Sequence, residues 1–303
     1  MTAKRIPLWL LAPAAGMVWW AIGFLPWVTQ RLRRQGLAGG PFAPDQGLAQ
    51  VRMAVPLVAE ELVPLVVMGL LGGVLSGCLA RLGPARPSVV VPSVVGGVAA
   101  AGLLATLQAR WALSDGASGG FASDDRVLAA LQLVVLGSTV IGLLLGLLVA
   151  LGPVTLRAAA LAAPAVLLPI WVEELLPGQT PQTTKWLVAV TLGLTLVASL
   201  SRSVWQLLSW IPAAFIAWTT QAAVPALLAG GYQIRPGSGL GTNRWYPAEV
   251  GLDVFRASFT TTVGHLPTAW LLAIIIGGAG AVLRLRNLNQ RAGSPRSVEV
   301  VDA

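Results

Sequence analysis

Residues 127–156 read VLAALQLVVLGSTVIGLLLGLLVALGPVTL, thirty positions without a charge. A helix rises about 1.5 Å per residue and the hydrocarbon of a bilayer is about 30 Å thick, so about 20 residues of this kind cross it. The stretch is part of a longer run. Between Arg126 and Arg235 the only charges are Arg157, Glu173, Glu174, Lys185 and Arg202. In lipid the backbone must satisfy its own hydrogen bonds, and these residues carry no alternating strand pattern. The fold class read from this stretch is all-α: a polytopic transmembrane helical bundle.

Moving outward, eight apolar segments have spanning length: 6–28, 57–79, 88–107, 127–150, 158–176, 186–200, 204–229 and 258–283. The chain is 55% hydrophobic and 11% charged, whereas a soluble domain is roughly one quarter charged. About eight helices are expected, or seven if the first does not cross. Lys4 and Arg5 precede the first segment, and Arg31, Arg33 and Arg34 follow it where a small-residue cleavage site would stand. It reads as a retained helix or signal anchor. The domain reading is one bundle over 1–286, with an outer loop at 230–257 and a disordered cytoplasmic tail at 287–303. Residues 108–126, rich in glycine around Asp115, read as a flexible connection.

Charge placement orients the chain. The short connections at Arg81–Arg86, Arg157 and Arg202 are basic, and nearly all acids fall in the longer ones. By the positive-inside rule the short turns are cytoplasmic, which puts both termini in the cytoplasm of a cell membrane. Arg31–Arg34 run against the rule, as an amphipathic piece lying on the outer surface would. Leu82-Gly83-Pro84 and Leu151-Gly152-Pro153 recur at inner turns, a pattern that fits parallel helical-hairpin repeats. Lys4 and Lys185 are the only lysines among 20 basic residues. That usage, with abundant Ala, Gly, Val and Leu, suits a GC-rich bacterial genome.

The same inventory excludes several chemistries. One cysteine, Cys78, rules out an internal disulfide, and one histidine, His265, removes most zinc and haem ligand sets. Neither cofactor nor metal is expected. The net charge of +8 is spread over short turns rather than gathered on a phosphate-reaching face, so nucleic acid is not a partner. The expected partners are the lipid bilayer and another membrane protein, or a second copy.

Gly69, Gly73 and Gly77 recur every four residues, as do Ser138, Gly142 and Gly146. Each set forms one small-residue face on which a neighbouring helix backbone can close. Two acid pairs stand out, Glu60-Glu61 and Glu173-Glu174, each followed by a proline three residues beyond its second glutamate. Both are placed at the outer interface, where a carboxylate is tolerated, and an acid at the start of a helix suits its dipole. The Glu-Glu-xxx-Arg motif of the CAAX-type intramembrane proteases would need Arg at 65 or 178, where this chain has Leu65 and Gly178. The resemblance ends there. His265 and Arg256, near the polar opening of the segment 258–283, and Trp245 and Tyr246 in the glycine-rich outer segment complete the candidate binding or functional residues. Trp205 and Trp218 are assigned to the two interface belts, Trp210 nearer the middle, and Pro212 to a kink.

No catalytic constellation emerges. The reading preferred from sequence is a non-enzymatic subunit or assembly factor of a membrane complex. A carrier or channel-like protein for a neutral or lipidic substrate is the alternative. A membrane enzyme acting on lipid-linked substrates through acids such as Glu173, Glu174, Glu249 or Asp253 is a third.

Overall fold

A computed structural model describes residues 6–38, 54–57, 61–83, 86–114, 125–176, 181–199, 204–234, 245–261 and 267–293. Among these residues the chain is 92% helical with no strands, in ten α-helices: α1 Leu8–Met17, α2 Leu25–Ala38, α3 Leu62–Cys78, α4 Pro87–Ser114, α5 Asp125–Leu151, α6 Val154–Leu175, α7 Pro181–Ser199, α8 Trp210–Gln233, α9 Tyr246–Thr260 and α10 Pro267–Gly293. Among the described residues six stretches are long and apolar enough to cross a membrane: Leu62–Leu82, Pro87–Ala112, Val127–Leu151, Val154–Leu175, Leu207–Gln233 and Pro267–Arg284. The chain is a multi-pass membrane protein built as a bundle of about eight long helices.

The first segment does not end at residue 28. A π turn, Val18–Ile22, follows α1. The amides of Gly23, Phe24 and Val28 then continue the ladder into α2. A π turn holds one extra residue, and here it turns Trp19 inward. Trp19 is fully buried, donates its Nε1 to Thr139 Oγ1 at 3.0 Å, and meets Phe24 edge-on at 5.1 Å.

The two small-residue faces pack on each other. A Cβ added at Gly73 would stand 2.5 Å from the Thr139 carbonyl oxygen, and one at Gly77 would stand 2.7 Å from that of Leu143. Going the other way, Gly142 closes on the Leu70 backbone and Gly146 on that of Val74, while Gly69 faces Ser138. The matching steps of four place α3 and α5 side by side and parallel. Parallel pairs form between α1 and α4, α3 and α5, α6 and α8, and α7 and α10, while the sequence neighbours α6 with α7 and α8 with α9 also pack extensively.

These directions place the polar groups. The turn at Arg81 and the start of α6 near Arg157 lie at one end of the bundle. Glu61, before α3, and Glu173 and Glu174, closing α6, lie at the other.

Three expectations are corrected. The segment 258–283 is not one helix: residues 258–260 close α9 and the spanning helix begins at Pro267. Pro212 lies in the first turn of α8, where a missing N–H matters little, and Pro225 is the proline inside that helix. Trp210 opens α8 at one end, while Trp218 lies deeper. In addition, α10 runs on to Gly293, past the boundary expected at 286. The flexible connection expected at 108–126 keeps only 115–124 outside the described residues, as does the tail from 294.

Candidate functional site

Three helices meet at the middle of α8. Helix α9 lies antiparallel on α8: Gly230 faces Pro247, and Gly251 faces Ala226. Its last turn reaches the Trp218 region, where Trp218 Nε1 donates to the Phe259 carbonyl oxygen at 3.0 Å. The Phe259 ring meets Phe215 edge-on at 6.2 Å and stacks on Phe255 at 5.7 Å. Helix α10 starts at this depth. Trp270 Nε1 donates to Gln221 Oε1 at 2.9 Å, and the Trp218 and Trp270 rings lie 6.1 Å apart.

The break between α9 and α10 has a local cause. Proline fixes its own φ, lacks an N–H and keeps the preceding residue out of the α region, so Pro267 can begin a helix but not continue one. Helix α9 leaves its ladder at Thr261, whose backbone is extended. A helix end exposes four carbonyls, costly in hydrocarbon unless they find donors. The last ladder bond and one end carbonyl are reinforced by side chains here. The Ala257 oxygen accepts from the Thr261 amide and hydroxyl at 3.1 and 2.9 Å, and the Phe259 oxygen from Trp218.

The second polar group is the acid end. Glu61 stands half-buried before α3, without a side-chain bond to the first turn. Glu173 is exposed, whereas Glu174 is half-buried and accepts Gln30 Nε2 at 2.7 Å. Trp171, one turn earlier, donates Nε1 to the Gly23 carbonyl oxygen at 2.9 Å. Gln30 and Trp171 tie the first helical segment to α6. Sequence reading passed over both because their partners lie more than 140 positions away.

Trp245 and Tyr246 are exposed and open α9, with Pro247 in its first turn. Arg256 is exposed on the same helix and lies 3.6 Å from Asp253. Glu60 and His265 lie outside the described residues. The structure thus gathers Glu61, Glu173 and Glu174 at one end and puts Arg256, Trp245 and Tyr246 on a different element, α9. Residues the sequence reading did not single out, Trp19, Thr139 and Trp270, form polar contacts within the bundle, Trp270 with Gln221. Their one legible signal was a polar or indole group inside an apolar segment.

Across the bundle these groups bond from helix to helix. Ser76 Oγ donates to the Ala15 carbonyl oxygen at 2.8 Å, Thr191 Oγ1 to that of Ala165 at 2.7 Å, and Arg284 to that of Val197 at 3.1 Å. Among the described residues no group of three His, Cys, Asp or Glu side chains could hold a metal ion. No family model, no curated protein and no solved structure matches the chain.

Proposed function

We propose that this chain is a non-enzymatic subunit or assembly factor of a membrane complex, embedded in a cell membrane with both termini cytoplasmic. The observation that carries the reading is the use made of intramembrane polar side chains. Trp19, Ser76, Trp171, Thr191, Trp218 and Trp270 each donate to a carbonyl, hydroxyl or amide oxygen on another helix. Such bonds fix helix positions. A transport or catalytic centre would instead present donors and acceptors to a substrate. The orientation is supported by Arg81 and Arg157 lying at the end opposite Glu61, Glu173 and Glu174.

The test is purification from native membranes in a gentle detergent. A partner in fixed stoichiometry is expected; consistent recovery of the chain alone would overturn the reading. One observation favours a second reading, a carrier: the helix break at the depth of Gln221 and Trp270 resembles the discontinuous helices of transporters. Substrate-dependent uptake into proteoliposomes holding only this chain would establish that alternative.

A further inference from the structure

The outward face of α9 is polar at a depth where lipid does not tolerate it. The stripe Pro247, Gly251, Phe255 and Phe259 turns to α8, its one extensively packed neighbour among the described residues. The opposite stripe is Glu249, Leu252, Asp253, Arg256 and Thr260, all exposed, and no residue of α9 is buried.

Depth follows from the neighbours. Val224 and Leu227 of α8 share one cluster with Leu167, Leu168, Ile170 and Trp171 of α6. Gly230, one turn beyond Leu227, is therefore close to level with Glu173 and Glu174, the acids that mark the bundle's end. Pro247 lies beside Gly230. At 1.5 Å per residue, Asp253 is about 9 Å and Arg256 about 14 Å further along the bundle, and the midplane of a bilayer lies about 15 Å from its hydrocarbon boundary. Yet the Asp253 and Arg256 side chains are 77% and 69% exposed. Raising α9 into water would lift half of α6 and α8 out of the hydrocarbon with it. Charged side chains at such depth face protein or water, not lipid tails.

We infer that the Glu249–Asp253–Arg256 face of α9 is the docking surface for a different membrane protein, one whose helix brings a basic side chain to the level of Glu249 and Asp253. The inference rests on the subunit reading and names its interface. A second copy fits poorly. In a two-fold dimer about the membrane normal equal residues share equal depth, so across this face Glu249 would lie level with Glu249 and Asp253 with Asp253. The face carries two acids and one base, a surplus that a basic partner neutralises.

The experiment uses the full chain in native membranes, with Cys78→Ala removing its only cysteine. Leu252→Cys places a thiol on the face, and Leu104→Cys, exposed on α4, is the control. Both are treated with a photoactivatable maleimide cross-linker. We expect one adduct of fixed mass from Leu252→Cys and none from Leu104→Cys. Adding Glu249→Lys and Asp253→Lys should reduce the adduct by about tenfold or more, the loss expected of a reversed buried charge contact. Glu249→Gln with Asp253→Asn should leave an intermediate yield, and unchanged elution of each variant on size exclusion shows that it folds. An adduct of twice the chain's mass assigns the face to a second copy and overturns the inference. So does labelling of Leu252→Cys by a membrane-impermeant maleimide in intact cells, which marks a water-filled vestibule. A stoichiometric partner that cross-links elsewhere, or charge reversal without effect, refutes the interface but leaves the subunit reading standing. No partner at all removes both.

Discussion

Gly142→Ala tests the close approach of α5 to α3. The new methyl carbon would stand 2.8 Å from the Leu70 carbonyl carbon and 2.9 Å from its Cα, and closer still to its oxygen. Ordinary contact between carbons is about 3.5–4.0 Å, so the α3 backbone has to retreat by more than about half an ångström. Backbone has no rotamer with which to step aside. The retreat also loosens Gly69, Gly73 and Gly77 from α5, because the helices touch in register along their length. Overpacking of this kind destabilises by about 1–3 kcal/mol. The matched control is Gly137→Ala on the same helix, where an added Cβ meets nothing within 4 Å. Both changes gain the same intrinsic helix preference, up to about 1 kcal/mol, so their difference isolates the contact. Reversible unfolding in mixed micelles, read by tryptophan fluorescence, should separate the two variants by about 1–3 kcal/mol, roughly a five- to hundredfold change in the folding equilibrium. Equal stabilities would refute the close approach of α3 and α5, and with it the parallel pairing that organises this half of the bundle.

Trp19→Phe and Thr139→Val each remove one partner of the buried bond between the π turn and α5. Each should cost about 1 kcal/mol, with the double variant costing less than the sum by about 0.6 kcal/mol, the mean measured for hydrogen bonds between membrane helices; strict additivity in the same unfolding assay would deny the bond. Deleting Ala21 should convert the π turn to an α turn and rotate α1 by about 100° against α3, withdrawing the Ala15 carbonyl from Ser76; loss of monodisperse protein on size exclusion is the expected result, and normal stability would argue against the turn. Cysteines placed at Arg81 and at Glu173, in a Cys78→Ala background, should react with impermeant maleimide from opposite sides of the membrane, and labelling of both from one side would disprove their placement at opposite ends.

The lipid-soluble character of the chain, its all-helical class and the approximate count of long helices were legible because an apolar run of spanning length has few alternatives in hydrocarbon. Both small-residue faces could also be read, since four-residue spacing is a local property of a helix. The mistaken boundaries had local signals too. Pro267 marks the start of α10, and Pro247, Gly251, Phe255 and Phe259 trace one face of α9 at helical spacing. A hydropathy window from 258 to 283 runs across both.

Which surfaces meet was decided by the tertiary structure alone. Gly73 could have received any backbone, and nothing near Trp19 in sequence points to Thr139, 120 positions away. Nor could periodicity show that α9 folds back along α8. Sequence states the solvent each segment prefers, because transfer into lipid is close to a sum over residues. Pairing depends on close fit between distant backbones, and on polar groups finding one another where water cannot serve, and neither is additive along the chain.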